Sequence, residues 1–219
     1  MNTREQLTNA IIDGKIIAIA RGITASQAVD TARALYAGGI KLMEITFDQS
    51  GKLPFSHTLN GIRAIREKIG GKLHVGAGTV LNVEQVELAA ESGAEYIISP
   101  DVNEDVIRRT LELGLISIPG AMTPSEITRA SNSGADFVKL FPAGALGTDY
   151  IRAIRAPLSH VKLLAVGGVS DSNIAQFIAS GCVGAGIGGN LVNRTWIADG
   201  KYDAVTQVAK KTVAALEVQ

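Results

Sequence analysis

Disulfides are the first thing this sequence cannot have. One cysteine, Cys182, stands alone among 219 residues, so no intrachain bridge is possible and a reducing cytoplasm is the expected compartment. Long apolar runs are missing too: none approaches the roughly 18–20 residues of a membrane helix. Met1–Gln6 leads into a mixed amphipathic stretch without the apolar centre of a secretory signal. Net charge is zero, with 21 basic residues against 21 acidic ones. No overall field draws in a nucleic acid or a membrane surface, and an anionic ligand must be held by local groups. His57, His74 and His160 lack metal-ligand spacing and Cys182 lacks a partner thiol, so neither a metal nor a cofactor is expected. Aromatic residues are sparse, and Trp196 and Tyr202 are expected to pack the C-terminal region or an interface.

Glycine and apolar side chains are present instead. The 24 glycines are spread along the chain, not gathered into a linker, which marks them as turns and points of close backbone approach. Apolar content of 46% can fill a sizeable core. A short helix is expected over residues 2–13, then a strand over 15–20. Thr24 or Ser26 caps the next helix, and Gly38-Gly39 stops it. The unit of helix, glycine and apolar strand then recurs, with strands expected at 40–46, 73–77, 96–98, 115–118, 136–141, 161–166 and 183–187, before a last helix over 202–217. Apolar strands alternating with helices indicate a parallel sheet covered on both faces. Eight such units in one domain, 1–219, predict a (β/α)8 barrel with an N-terminal helix. A doubly wound open sheet is the alternative, but the first strand–helix turn has no Gly-x-Gly-x-x-Gly fingerprint.

Catalytic groups of such barrels stand at the C-terminal ends of the strands. Here those ends carry Arg21, Glu44 with Thr46, and Lys139 inside the apolar run Asp136–Pro142. Alternation places Leu42, Glu44 and Thr46 on one face, and Phe137, Lys139 and Phe141 on another. If both faces look inward, Glu44 and Lys139 converge. A desolvated lysine loses its proton more readily and attacks carbonyls. A buried carboxyl beside it can relay the protons. The plainer readings are a lysine that snorkels to solvent and a buried ion pair without chemistry; the latter stabilises poorly once desolvation is counted. Gly167-Gly168 and Gly188-Gly189-Asn190 follow the last two strands, where such barrels bind phosphate through backbone amides. The loop Phe47–Phe55 after the second strand is long, as site-shaping loops often are.

Taken together, Ala20-Arg21-Gly22, Leu42–Thr46, Val75–Asn82, Ile98–Pro100, Ile118–Gly120, Val138–Ala143, Gly167–Val169 and Gly188–Asn190 resemble, in order, the family of 2-keto-3-deoxy-6-phosphogluconate (KDPG) and 4-hydroxy-2-oxoglutarate (KHG) aldolases. The resemblance implies a metal-free, homotrimeric barrel aldolase that works through a Schiff base. It implies that a 2-keto-4-hydroxy acid is cleaved to pyruvate and either glyceraldehyde 3-phosphate or glyoxylate. Lys139 matches the imine-forming lysine and Glu44 the general acid/base. Arg21, Thr46, Thr79, Pro100 and Phe141 fall at substrate-binding positions. Gly167, Gly168, Gly188, Gly189 and Asn190 fall at the phosphate end. Asp48 stands where the familiar members carry a carboxylate-binding arginine, and Asn190 where many carry serine. Arg21 can supply the missing cation. A 2-keto-3-deoxy-6-phosphogalactonate aldolase fits as well. So do a phosphosugar isomerase or synthase without an imine, and a non-catalytic keto-acid-binding barrel.

Overall fold

The computed structural model describes residues 3–217. Residues 1, 2, 218 and 219, which include the expected helix start at Asn2 and both ends of the expected 1–219 domain, lie outside the described residues. The strands are β1 (Ile16–Ala20), β2 (Leu42–Thr46), β3 (His74–Gly78), β4 (Tyr96–Ile98), β5 (Ile116–Ile118), β6 (Gly120–Ala121), β7 (Val138–Leu140), β8 (Leu163–Val166) and β9 (Gly184–Ile187). All pair in parallel, in the order β5-β4-β3-β2-β1-β9-β8-β7-β6. The helices α1 (Thr3–Gly14), α2 (Ala25–Ala37), α3 (Phe55–Ile69), α4 (Val83–Glu91), α5 (Glu104–Glu112), α6 (Pro124–Asn132), α7 (Ala143–Arg155), α8 (Ile174–Ala179), α9 (Arg194–Ala198) and α10 (Tyr202–Ala214) alternate with them.

The ends of that sheet order are consecutive in sequence. β5 pairs with β4, β6 pairs with β7, and only Pro119 separates them. Proline has no N–H to give to a ladder, so the fifth barrel strand, expected as one run over 115–118, is broken into two. Its carbonyl still accepts from Lys139 N–H at 2.9 Å, and Ser117 O accepts from Phe137 N–H. The sheet thus closes into the eight-position barrel, with the N-terminal helix below it.

Alternation sorts the side chains into two layers. Along β1, Ile16, Ala18 and Ala20 belong to the layer between sheet and helices, while Ile17 belongs to the barrel interior. Leu42, Tyr96, Ile98, Ile116, Ile118, Phe137 and Leu164 fill that interior. Leu7 and Ile11 of α1 join the same cluster and plug the barrel at the N-terminal end of its strands. Arg4 fastens the plug through Asp136 at 2.7 Å, whose other oxygen accepts from Ser117 N–H. Thr24 caps α2 in a reciprocal pair with Gln27, and Gly38 ends that helix. After β9 the next helix begins only at Arg194. Leu191 and Val192 are buried in a turn, and Asn193 accepts from the N–H groups of Thr195 and Trp196 as the cap.

One interior position is set by a missing Cβ. Tyr96 is fully buried, and its hydroxyl donates to Met43 O at 2.6 Å. Its ring lies where a side chain on Gly76 would be, 2.7 Å from Cγ and closer still to Cδ2 and Cε2. Overpacking of this kind typically costs about 1–3 kcal/mol. Gly76→Ala is therefore expected to lower the melting temperature by several degrees in thermal denaturation, on the order of 2–4 °C per kcal/mol lost. An unchanged melting temperature would contradict this packing.

Candidate active site

Glu44 and Lys139 occupy inward positions of β2 and β7 and line one cavity in the upper barrel. Its walls are Ile17, Ile19, Ile98, Ile118, Leu164, Val166 and Gly186. Glu44 is 1% exposed and Lys139 5%. Burial raises the carboxyl above its ordinary range, with partial opposition from the Lys139 and then the Arg21 charge. Burial lowers the ammonium below its ordinary range; the Glu44 charge opposes this and Arg21 reinforces it. Both shifts favour the uncharged forms, a protonated acid and a free amine. Glu44 Oε2 is buried without a hydrogen-bond partner. An orphaned acceptor of this kind is costly unless a reacting group or water meets it. The carboxylate fits only because β3 ends in glycine, since a Cβ on Gly78 would stand 2.5 Å from Oε1. The Lys139 amine lies 5.0 Å from the centre of the Phe141 ring.

Above this floor the mouth has two flanks. One is lined by Ile19, Arg21, Phe141, Val166, Gly167, Gly168, Val169, Gly186, Gly188, Gly189 and Asn190. Gly167 and Gly168 have φ of 89° and 79°, which side-chain-bearing residues seldom adopt. A Cβ on Gly167 would also crowd the Phe141 ring at 3.1 Å. Asn190 donates to Val169 O at 3.0 Å and Asn173 donates to Gly168 O at 2.9 Å, so both turns are held in place. These turns present glycine backbone in the manner that suits an anion.

The other flank is lined by Arg21, Gly22, Thr46, Phe47, Asp48, Gln49, Ser50, Lys52, Leu53, Thr79 and Arg194. Asp48 is occupied within its own loop. Its oxygens accept from Ser50 N–H, Ser50 Oγ–H and Leu53 N–H at 2.7–3.1 Å. Those bonds, the Ser50 hydroxyl first, hold its carboxyl below the usual range. Gln49 Nε2 donates to Thr79 O at 2.8 Å and ties the loop to the end of β3. Thr79 has φ 58°, a strained conformation for a β-branched residue.

Arg21 and Phe141 line the glycine flank, and Arg21, Thr46 and Thr79 line the Asp48 flank. Pro100 is half-buried after β4 and lines none of these three cavities; its carbonyl packs where a Cβ on Gly120 would sit. Gln49 and Lys52 reach the mouth from the long loop after β2, and Arg194, which no sequence pattern singled out, reaches it from the first turn of α9. His74 pairs with Glu95 at 3.1 Å, and Trp196 and Tyr202 pack against the core as structural residues do. Cys182 is buried, which pushes its thiol up to about 12.

Comparison with known proteins agrees with this arrangement. Residues 7–208 match the family model described as KDPG and KHG aldolase. A 2-dehydro-3-deoxy-6-phosphogalactonate aldolase of Escherichia coli (strain K12) is 39% identical over 80% of this chain and 83% of that protein. The KHG/KDPG aldolase of the same strain is 32% identical over 97% of each chain. A solved structure titled "Native KDPGal structure" superposes with a TM-score of 0.83 at 36% identity, covering 92% of this chain and 94% of that one. A barrel of this topology, a glutamate and a lysine sharing the apolar cavity beneath its mouth, and likeness along nearly the whole chain place the protein in the KDPG and KHG aldolase family, whose members are lyases.

Proposed function

We propose that the protein cleaves 2-keto-3-deoxy-6-phospho sugar acids to pyruvate and glyceraldehyde 3-phosphate through an imine on Lys139. The gluconate-derived and galactonate-derived acids, which differ in configuration at one carbinol centre, are both candidates. KHG, which yields glyoxylate, is a further substrate. The observation that carries this reading is the shared burial of Glu44 and Lys139 among apolar walls.

The Lys139 amine attacks the C2 ketone to give a carbinolamine. Glu44 donates a proton to the departing hydroxyl, water leaves, and a protonated imine remains. Glu44, now a carboxylate, takes the C4 hydroxyl proton directly or through a water. The C3–C4 bond then breaks, the aldehyde departs, and the bonding electrons move into an enamine. Protonation of C3 and hydrolysis of the imine release pyruvate and restore the amine. The flank containing Gly167, Gly168, Gly188, Gly189 and Asn190 receives the phosphate, while Thr46 and Thr79 face the pyruvate end. Arg21, between the flanks, adds positive charge to both. Phe141 covers the amine, and Pro100 supports the β4–β6 rim from outside the cavity.

The reading is tested by incubation with pyruvate and borohydride followed by peptide mapping. A reduced pyruvyl adduct is expected on Lys139. Lys139→Met is expected to stay folded and to lose both adduct and cleavage. Appreciable turnover by the purified variant would sink the imine.

Glu44→Gln is expected to slow cleavage roughly 100-fold or more, as loss of a general acid/base does. It also has a signed pH consequence. The Glu44 charge holds the Lys139 pKa up against burial, so removing it lets that pKa fall further. The acidic limb of adduct formation should then move to lower pH. A limb that stays in place or moves upward would contradict the coupling.

We further propose a cytoplasmic homotrimer. Cell fractionation tests the compartment. Light scattering behind gel filtration should give three times the 22.9 kDa chain mass; a monomer or dimer would refute the trimer.

A further inference from the structure

A phosphorylated keto acid carries its two anionic groups at opposite ends of the carbon chain. With the imine at C2 and the phosphate on the glycine flank, the carboxylate falls on the other side, beside Thr46 and Thr79. The arginine expected in the loop for that group is replaced by Asp48, whose oxygens are occupied by Ser50 and Leu53. The flank nevertheless carries three cations, Arg21, Lys52 and Arg194, against this one acid.

The three are placed differently. Arg21 leans toward the glycine turns, with Nη1 3.1 Å from where a Cβ on Gly188 would stand. Arg194 lies over Gly22, its Cζ and Nη2 each 3.5 Å from a Cβ built there. Gly22 has φ 62°, so the strand–helix turn that carries it is itself suited to glycine. Asn193 fixes the backbone just after Arg194 by accepting from Thr195 and Trp196 N–H. Among the described residues, no hydrogen bond or ion pair engages the side chains of Arg194 or Lys52. A guanidinium with free donors, in a cavity shared with two threonines, matches the planar two-oxygen geometry of a carboxylate.

We propose that Arg194, flanked by Lys52, binds the carboxylate of the keto-acid substrate beside Thr46 and Thr79. The task of the missing loop arginine has moved to the far side of the mouth, onto the segment after β9. This assignment rests on the imine reading above and deepens it.

Pyruvate separates the two anion sites, because it has the carboxylate and no phosphate. The experiment follows borohydride trapping against pyruvate concentration in the wild type, Arg194→Met and Arg194→Lys, with neutral hydroxyacetone as a second carbonyl probe. Arg194→Met is expected to raise the half-saturating pyruvate concentration roughly 10–100-fold, the usual effect of losing a charged hydrogen-bond partner. The saturating rate should change little, Arg194→Lys should recover part of the loss, and hydroxyacetone trapping should be unaffected. Unchanged half-saturation in Arg194→Met would overturn the assignment. A KM increase confined to the phosphorylated substrate would also overturn it, and would give Arg194 to the phosphate. An equal loss for hydroxyacetone would show a general disturbance of the pocket and no carboxylate recognition. No adduct in the wild-type protein would remove the imine reading first, and this assignment with it.

Discussion

Two ionisable groups share an apolar space, and much of the surrounding structure follows from that. Either group alone would be driven to its neutral form by burial; together they attract, and the attraction restores part of the charge. The balance depends on distance, since Coulomb energy rises steeply where water is excluded. The fold therefore has to hold Glu44 and Lys139 on rigid elements, and both sit on strands hydrogen-bonded on each side. Tyr96 braces β2 through Met43 O, the residue before Glu44. Gly78 gives the carboxylate its room, as Gly76 does for Tyr96. Glycines along β3 are thus fitted to large neighbours on the adjoining strands.

Around this floor the loops are tied to one another by side-chain amides. Gln49 reaches Thr79, Asn190 reaches Val169, and Asn173 reaches Gly168. The first two join one loop to a backbone carbonyl of a neighbouring loop and the third closes the loop after β8 on itself, so the mouth is shaped by ties at the strand ends. Backbone hydrogen bonds fix the barrel, and these few amides fix its rim.

Much of the barrel was readable because its signal is local. An apolar run of a few residues, a glycine and a helical stripe repeat along the chain; alternation put Glu44 and Lys139 each on one face of its strand, and the closed barrel turns both faces inward. The break at Pro119 was not read, since the apolar run after Leu115 gave no reason to look for a second piece beyond the proline. Asp48 posed a question in sequence that its hydrogen bonds to Ser50 and Leu53 answer, because an acid in a loop can turn toward its own backbone as easily as toward a ligand. Arg194 was invisible for another reason. It lies 173 residues beyond Arg21 and comes near Gly22 only once the barrel closes, so no local pattern joins the two.

The plug at the lower end has a kinetic meaning. Leu7 and Ile11 close the barrel below, so among the described residues the cavity is reached from the C-terminal ends of the strands. On the proposed chemistry the three-carbon keto-acid portion is held by a covalent imine to Lys139, while the aldehyde portion is held on the glycine flank by non-covalent contacts alone. After cleavage only the enamine remains bonded to the protein. On the proposed chemistry release is then sequential, with the aldehyde first and pyruvate last. The free enzyme is the form that pyruvate re-enters, and the covalent bond to Lys139, in a barrel closed below, sets the order in which the products leave.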